Sequence, residues 1–378
     1  MTTDYYKKHW DEVEWQDGDY TVTRTTAWSA PGCHDGCGVL YYTKDGKLEK
    51  VEGDPKNPFN RGSLCMRCVM MPEVVNNPER LKKPLKRVGE RGENKWEEIS
   101  IDEALDIIEE KVRAIWRDYG PESIAVHIGT GRDNNDVIPR MAYCAFGTPN
   151  FSMGYLAGDS CFCPRSASMA STNGDFMIAD MSQQFENRYD EKSTEWRCPE
   201  VIVNWGCNAV VSNSDNFFGH WIVDCMQRGA KMITIDPGLT WLAARSDYWL
   251  RVRPGTDCAL AMAMIHVIAE EGLEDKDFVS KWCYGFDELV ERCEPWTPER
   301  AAEVCWVDAD KIREAARMYA NANNAAIQWG LKVDQTTNAT ATANAINALW
   351  AITGNVDVPG GNIIIRNAFS QNLSYGYG

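Results

Sequence analysis

Four cysteines fall in the pattern Cys33-x3-Cys37-x27-Cys65-x2-Cys68, two close pairs inside segments rich in Gly, Pro and Asn. Thiolates so spaced can converge on a soft metal, and four of them are the usual ligand set of a 4Fe-4S cluster or a structural zinc. The spacing does not separate iron from zinc. The competing reading, buried thiols acting as small hydrophobes, sits poorly with two close pairs in loops. A second pair, Cys161 and Cys163, lies in the run Gly158-Asp159-Ser160-Cys161-Phe162-Cys163-Pro164-Arg165-Ser166. Either thiolate can bind a high-valent soft metal. They would face the same way on an extended segment but not in a turn, so spacing does not choose between them.

Other residues have chemistry of their own. His34 and Asp35 lie between two candidate cluster ligands, where they can donate protons or simply hydrogen-bond the loop. Arg67 places a permanent, planar cation two residues past Cys65. Gly206 and Asn208 follow one apolar run, Asp236 another, and Gly255 and Asp257 a third. Open α/β sheets bind nucleotides at such strand ends. Gly206 allows close backbone approach there, and Asp236 can accept from ribose hydroxyls. Asp257 can accept from paired N–H donors or serve as a helix N-cap. His127 and His266 sit in apolar patterns and read as core histidines.

The elements that must position these residues follow from the apolar patterning. Thr21 to Glu52 reads as short strands, with Asp45-Gly46 suiting a tight hairpin turn. Gly53 to Pro84 reads as loops folded around something other than their own apolar side chains. Ile99 to Trp116 has helical spacing, with Ser100 and Glu103 as a capping box. Strands are expected at 123–128, 201–205, 232–235, 248–252 and 325–329. Helices are expected at 217–228, 257–270, 276–292, 309–319 and 338–352. This alternation predicts an α/β fold with mainly parallel sheets.

At 378 residues the chain has room for two or three domains of roughly 150 residues each. Its net charge of −16, from 39 basic and 55 acidic residues, would repel phosphate backbones and anionic lipid, so nucleic acid is not an expected partner. No apolar run is long enough to span a bilayer. Met1 to Asp17 has no apolar signal core and no twin arginine, so the expected location is cytoplasmic. The 14 cysteines then read as thiols or metal ligands, not as a disulfide framework.

The run Gly32-Cys33-His34-Asp35-Gly36-Cys37-Gly38-Val39-Leu40, followed by Lys50-Val51-Glu52-Gly53-Asp54-Pro55 and Gly62-Ser63-Leu64-Cys65-Met66-Arg67, resembles the iron-sulfur segment of the molybdopterin oxidoreductases of the dimethyl sulfoxide reductase family. Later blocks agree in order: Trp205-Gly206-Cys207-Asn208, Ile235-Asp236-Pro237, Arg253-Pro254-Gly255-Thr256-Asp257, and Thr353-Gly354-Asn355-Val356 with Pro359-Gly360-Gly361. The resemblance runs from about Thr23 to about Arg366. It implies a 4Fe-4S cluster on Cys33, Cys37, Cys65 and Cys68. The family's usual first ligand, a Cys or His before Cys33, is replaced here by Ala30 and Ser29. Cys68, where the family usually has Gly, is read as the substitute, with His34 as the second candidate.

The resemblance further implies a bis(molybdopterin guanine dinucleotide) cofactor carrying molybdenum or tungsten. Cys163 is its expected protein ligand, with Cys161 as the close alternative. Arg67 would stand between cluster and pterin, and Gly206, Asn208, Asp236, Gly255 and Asp257 would take a guanine dinucleotide arm. The family often has Arg where Gly238 stands, so one phosphate or guanine contact is expected to be lost. In a tungsten hydratase of this family an Asp beside a cluster cysteine is the acid/base. The matching position is His34, with Asp35 next to it.

The implied architecture is a small β-rich iron-sulfur domain (21–84) after an N-terminal extension (1–20). Two α/β domains follow, one begun at 85–158 and resumed at 353–378, the other at 159–352. The family's C-terminal β-barrel domain is missing, so the chain is expected to be a fragment or one half of a split enzyme. The implied activity is reductive removal of oxygen from a small organic substrate, as in catechol dehydroxylase-like members. Electrons would come from an iron-sulfur subunit or a ferredoxin and pass through the cluster. A non-redox hydratase or hydroxyl transferase, and a cofactor-free electron-transfer or structural subunit, are the alternatives.

Overall fold

The computed structural model describes residues 7–27, 36–57, 59–128, 137–153, 163–181, 197–211 and 218–364. These fall into two compact units, one within 7–153 and the other within 163–364.

The first unit is built on an antiparallel sheet of β1 (Glu14–Asp17), β2 (Tyr20–Thr26), β3 (Gly38–Lys44) and β4 (Lys47–Gly53), in that order. β3 and β4 are joined through Asp45 and Gly46, both at positive φ as a two-residue hairpin turn requires. The stretch expected as a free extension over 1–20 is partly drawn into this sheet, because β1 pairs with β2 from Glu14 to Asp17. Two short helices follow, α1 (Met66–Val69) and α2 (Met71–Val75). After the small hairpin β5 (Leu85–Arg87) and β6 (Trp96–Glu98) comes α3 (Ile101–Tyr119), where the Glu103 N–H donates to the Ser100 hydroxyl at 3.0 Å, the predicted cap. The strand expected over 123–128 is shorter, β7 (Val126–Ile128), because Pro121–Ser123 forms a turn of 3-10 helix. Beyond α4 (Val137–Arg140), β7 pairs in parallel with β8 (Phe151–Met153). His127 on β7 is exposed and lies 3.0 Å from the Ser152 hydroxyl, so the core reading of this histidine is corrected.

The second unit begins with α5 (Cys163–Asn173) and β9 (Met177–Ala179). Its central sheet is wholly parallel, built of β10 (Val201–Trp205), β11 (Lys231–Ile235), β12 (Tyr248–Leu250) and β13 (Ala325–Trp329), with spatial order β12-β11-β10-β13. Every residue of β10 is buried, as a strand covered on both faces must be. The connecting helices are α6 (Phe218–Gln227), α7 (Asp257–Glu270), α8 (Lys276–Trp282), α9 (Phe286–Cys293), α10 (Pro298–Cys305) and α11 (Ala309–Ala320). After β13 come α12 (Leu331–Asp334), α13 (Ala339–Ile352) and β14 (Asn362–Ile364), which pairs antiparallel with β9. The single helix expected over 276–292 is two, because the chain leaves α8 at Cys283 and Gly285 stands at φ +81 before α9. The core joins the sheet to α7 and α13, whose apolar residues surround nearly the whole helix. Trp329 and Trp350 meet edge to face at 5.7 Å within it.

Candidate cofactor sites

Cys37 precedes β3, Cys65 caps α1 and Cys68 lies within that helix, all three buried. The local frame is held by Asn60, 2% exposed: its Oδ1 accepts from the Gly38 N–H at 2.8 Å, while its Nδ2 donates to the carbonyls of Gly38 and Ser63. One side chain thus ties the strand after Cys37 to the loop before Cys65. Gly53 and Gly62 make the same frame possible. A Cβ on Gly53 would fall 2.2 Å from the Gly62 carbonyl oxygen. Buried Asp54 adds an ion pair with Arg24 at 3.0 Å.

The Cys65 and Cys68 thiols hydrogen-bond each other. That bond, with burial, pushes the Cys65 thiol up to about 12, while the backbone N–H groups of Arg67 and Cys68 act in the opposite direction by favouring its thiolate. Two soft donors and the backbone N–H groups of a helix start form a donor set suited to an iron-sulfur centre, whose sulfurs such N–H groups tune. Arg67 is partly exposed on α1, between these two cysteines. Cys33, His34 and Asp35 lie outside the described residues, and among the described residues no three candidate ligands are grouped to hold a metal.

In the second unit the chain moves outward from β10 to β11 to β12, then returns to the other side of β10 as β13. The switch point therefore lies between β10 and β13, the place at which open α/β sheets take ligands outside the carboxyl ends of their strands. Gly206 leaves β10 at φ +57, and Gly330 leaves β13 so close by that a Cβ on it would fall 2.6 Å from the Gly206 carbonyl oxygen. Asn208 follows with a buried Oδ1 that has no hydrogen-bond partner among the described residues. Asn204 donates from Nδ2 to the Cys207 carbonyl at 2.7 Å, and its own Oδ1 is likewise unpartnered among the described residues. Buried polar atoms of this kind are normally satisfied, so two at one strand end fit a site that takes a polar ligand.

Asp236, at the end of β11, is fully buried. Its Oδ1 accepts from the Gly238 N–H at 2.8 Å and its Oδ2 from Lys332 Nζ at 2.7 Å. Lys332 is half-exposed and comes from the short helix α12 after β13. Sequence reasoning missed it, because a lone Lys in so short a helix carries no pattern. Asp257 opens α7, 8% exposed, and accepts from Trp205 Nε1 at 2.8 Å, which ties the end of β10 to the start of that helix. Burial raises its carboxyl above the ordinary range, against the opposing Trp205 hydrogen bond. Gly255 stands at φ +84 in the turn before it. Gly206, Asn208, Asp236, Gly255 and Asp257 thus all sit at the carboxyl ends of β10, β11 and β12.

Cys163, partly exposed, is the first residue of α5. Cys161 lies outside the described residues. The start of α5 is pinned by Asp334, 1% exposed, which accepts from the Arg165 N–H at 3.3 Å and from Arg165 Nε at 2.7 Å. Arg165 also donates to the Trp329 carbonyl at 2.9 Å. Burial raises the Asp334 carboxyl, opposed by the Arg165 charge. Further along, Asn347 donates to the Ser168 and Thr172 hydroxyls at 2.7 and 2.9 Å, fastening α5 to α13. Among the remaining histidines, His266 is half-buried with Nδ1 3.2 Å from the Cys293 carbonyl.

Residues 80–375 match the Molybdopterin oxidoreductase family, and residues 26–77 match the Molybdopterin oxidoreductase Fe4S4 domain. The chain is 34% identical over 327 residues to the acetylene hydratase of Syntrophotalea acetylenica, covering 85% of this chain and 42% of that one. It is 32% identical over 375 residues to the probable dimethyl sulfoxide reductase chain YnfF of Escherichia coli K12, covering 91% and 45%. With formate dehydrogenase H of the same organism it shares 31% over 336 residues, covering 87% and 44%. The solved structure of acetylene hydratase from Pelobacter acetylenicus superposes with a TM-score of 0.71 at 31% identity, over 90% of this chain and 45% of that one. The chain therefore spans less than half the length of these relatives.

Proposed function

This chain belongs to the molybdopterin oxidoreductase family, and on that premise we propose that it forms the cofactor-holding portion of the catalytic subunit of a molybdenum or tungsten enzyme that removes oxygen reductively from a small organic substrate. The observation that carries this reading is the switch point between β10 and β13, with its close-approaching glycines, Asn oxygens unpartnered among the described residues, and buried carboxylates. When bound, the bis(molybdopterin guanine dinucleotide) group supplies redox chemistry at a metal held by dithiolenes.

The chain's own residues then divide the remaining work. Gly206 and Gly330 let the dinucleotide approach the backbone. Asp257 accepts from the guanine N1 and N2 donors, and Asn208 takes a hydroxyl or ring N–H. Lys332, anchored on Asp236, meets phosphate charge, and Asp236 has lone pairs left for a ribose hydroxyl. Cys163 is the protein ligand to the metal, and its position at a helix start favours the thiolate. Cys33, Cys37, Cys65 and Cys68 hold the 4Fe-4S cluster, with Arg67 as the neighbouring cation. His34 and Asp35 supply protons. An iron-sulfur subunit or a ferredoxin delivers the electrons.

The test is anaerobic purification of the full-length protein, with metal analysis and a reduced-viologen assay. The proposal expects about four iron atoms per chain, molybdenum or tungsten, and viologen oxidation that depends on an organic acceptor. Zinc without iron, or iron without molybdenum or tungsten, would overturn it in favour of a structural zinc or a cofactor-free subunit. A second reading, non-redox hydration, is favoured by the similarity to acetylene hydratase in both sequence and structure. It predicts substrate consumption with no electron donor and no viologen oxidised.

A further inference from the structure

We propose that Cys198 and Cys225 form a peroxide-sensitive dithiol, a modification site at the amino edge of the parallel sheet. Cys198 lies just before β10, with its backbone carbonyl fixed by a hydrogen bond from Asn324 Nδ2 at 3.2 Å. Cys225 is fully buried on α6, and its Sγ donates to the Met181 carbonyl at 3.4 Å. Cys198 Sγ is 3.8 Å from the Cys225 carbonyl oxygen, so the side chain of Cys198 lies against Cys225 itself. The two cysteines thus meet between a fixed strand entry and a packed helix. Only Cys198 is partly exposed to a small oxidant. The pair stands at the opposite end of β10 from the switch point, about 16 Å away for a five-residue strand.

The charges around the pair make its members unequal. Arg228 on the following turn pairs with Asp224 at 2.8 Å and favours the Cys198 thiolate, while Asp224 and Asp180 oppose it. The Cys198 thiol is held below the ordinary range, first by its neighbour Cys225 and then by Arg228, against its own burial. The Cys198 side chain, followed by burial, pushes the Cys225 thiol up. A partly exposed cysteine whose thiolate is favoured, packed against a fully buried one, is the arrangement of an attacking and a resolving cysteine.

The chemistry balances with hydrogen peroxide as the named oxidant. The Cys198 thiolate attacks one peroxide oxygen, the O–O bond breaks, and the departing hydroxide takes a proton to become water, leaving a sulfenic acid. The Cys225 sulfur then attacks the Cys198 sulfur, the S–O bond breaks, and a second water leaves with the Cys225 proton. The two electrons lost by the sulfurs have reduced the peroxide, and the disulfide staples α6 to the entry of β10.

The experiment treats anaerobically purified, full-length protein with hydrogen peroxide, blocks the remaining thiols and maps the peptides by mass. The expected result is a Cys198–Cys225 linked peptide. In Cys225→Ser, Cys198 should accumulate as a sulfenic acid trapped by dimedone. In Cys198→Ser, Cys225 should stay reduced, and Arg228→Gln should slow the loss of Cys198 severalfold. Oxidation of Cys198 without the linkage, linkage of either cysteine elsewhere, or Cys225 reacting before Cys198 would each overturn the proposal. The wild-type map alone decides between these outcomes should a variant fail to fold. None of them depends on the cofactor content.

Discussion

A buried carboxylate that costs stability is a residue retained for something else, and Asp257 meets that description. Burial raises its folded pKa above the unfolded value of about 3.9, so the folded protein holds the proton more tightly. Its favourable contribution is therefore complete below the ordinary Asp range and is lost as pH rises through the raised value. Asp257→Asn removes the charge and keeps an acceptor for Trp205 Nε1. Ligand-free protein carrying it should melt at a higher temperature near neutral pH, with the difference vanishing below about pH 4, and it should retain less guanine nucleotide. Calorimetry across pH tests the first half, and a lower melting temperature at neutral pH would sink the reading. Lys332 offers a parallel case. Lys332→Arg should keep most of the bound guanine nucleotide and Lys332→Met should lose it, since the role assigned is charge anchored on Asp236. Asp257 was legible because it closes the Arg253-Pro254-Gly255-Thr256-Asp257 block. Lys332 was not, because what gives it meaning is the return of β13 beside β10.

Elements position these groups, and α5 shows how much of that rests on tertiary contacts. Its sequence, Cys-Pro-Arg-Ser-Ala-Ser-Met-Ala-Ser-Thr-Asn, is rich in Ser, Thr and Asn, which favour local side-chain bonds over helix, and it was not foreseen. The helix stands because Arg165 reaches Asp334 and because Asn347 reaches Ser168 and Thr172. By contrast β10, β13 and α7 have the same bounds as their sequence expectations, since uniformly apolar runs leave them little choice. Arg165→Met should leave Asp334 buried without its cation and cost about 3 kcal/mol, the lower part of the range for breaking a buried pair, because Asp334 can take up a proton. Chemical denaturation measures this, and a change within about 0.5 kcal/mol, the usual limit for surface substitutions, would argue against the pin. The switch point makes a sharper test of geometry. Gly330→Ala places a Cβ against the backbone of Gly206 and Cys207 and should be far more damaging than Gly255→Ala, where only the positive φ is at stake, at about 1–2 kcal/mol.

At the scale of the whole molecule, Cys37, Cys65 and Cys68 belong to one compact unit and the switch point of the parallel sheet to the other, each with its own apolar core. One core gathers Val39, Val51, Cys68 and Met71 around the antiparallel sheet, and the other joins the parallel sheet to α7 and α13. Expectations about a missing barrel domain go beyond both cores, whereas the independence of the two cofactor loads can be argued from them. The two cores share no residues, so damage within one is expected to leave the folding of the other intact. Cys65→Ser removes a thiolate from the pair that faces the N–H groups of Arg67 and Cys68. It should abolish bound iron while leaving guanine nucleotide and molybdenum or tungsten near wild-type amounts. Lys332→Met and Asp257→Asn should do the reverse, lowering nucleotide and metal while leaving about four iron atoms per chain. Iron, molybdenum, tungsten and nucleotide can all be quantified on one preparation of each variant. Loss of both loads in Cys65→Ser, with the melting temperature unchanged, would show that the cluster must be in place before the dinucleotide is retained. The two sites would then have to be treated as one cooperative assembly.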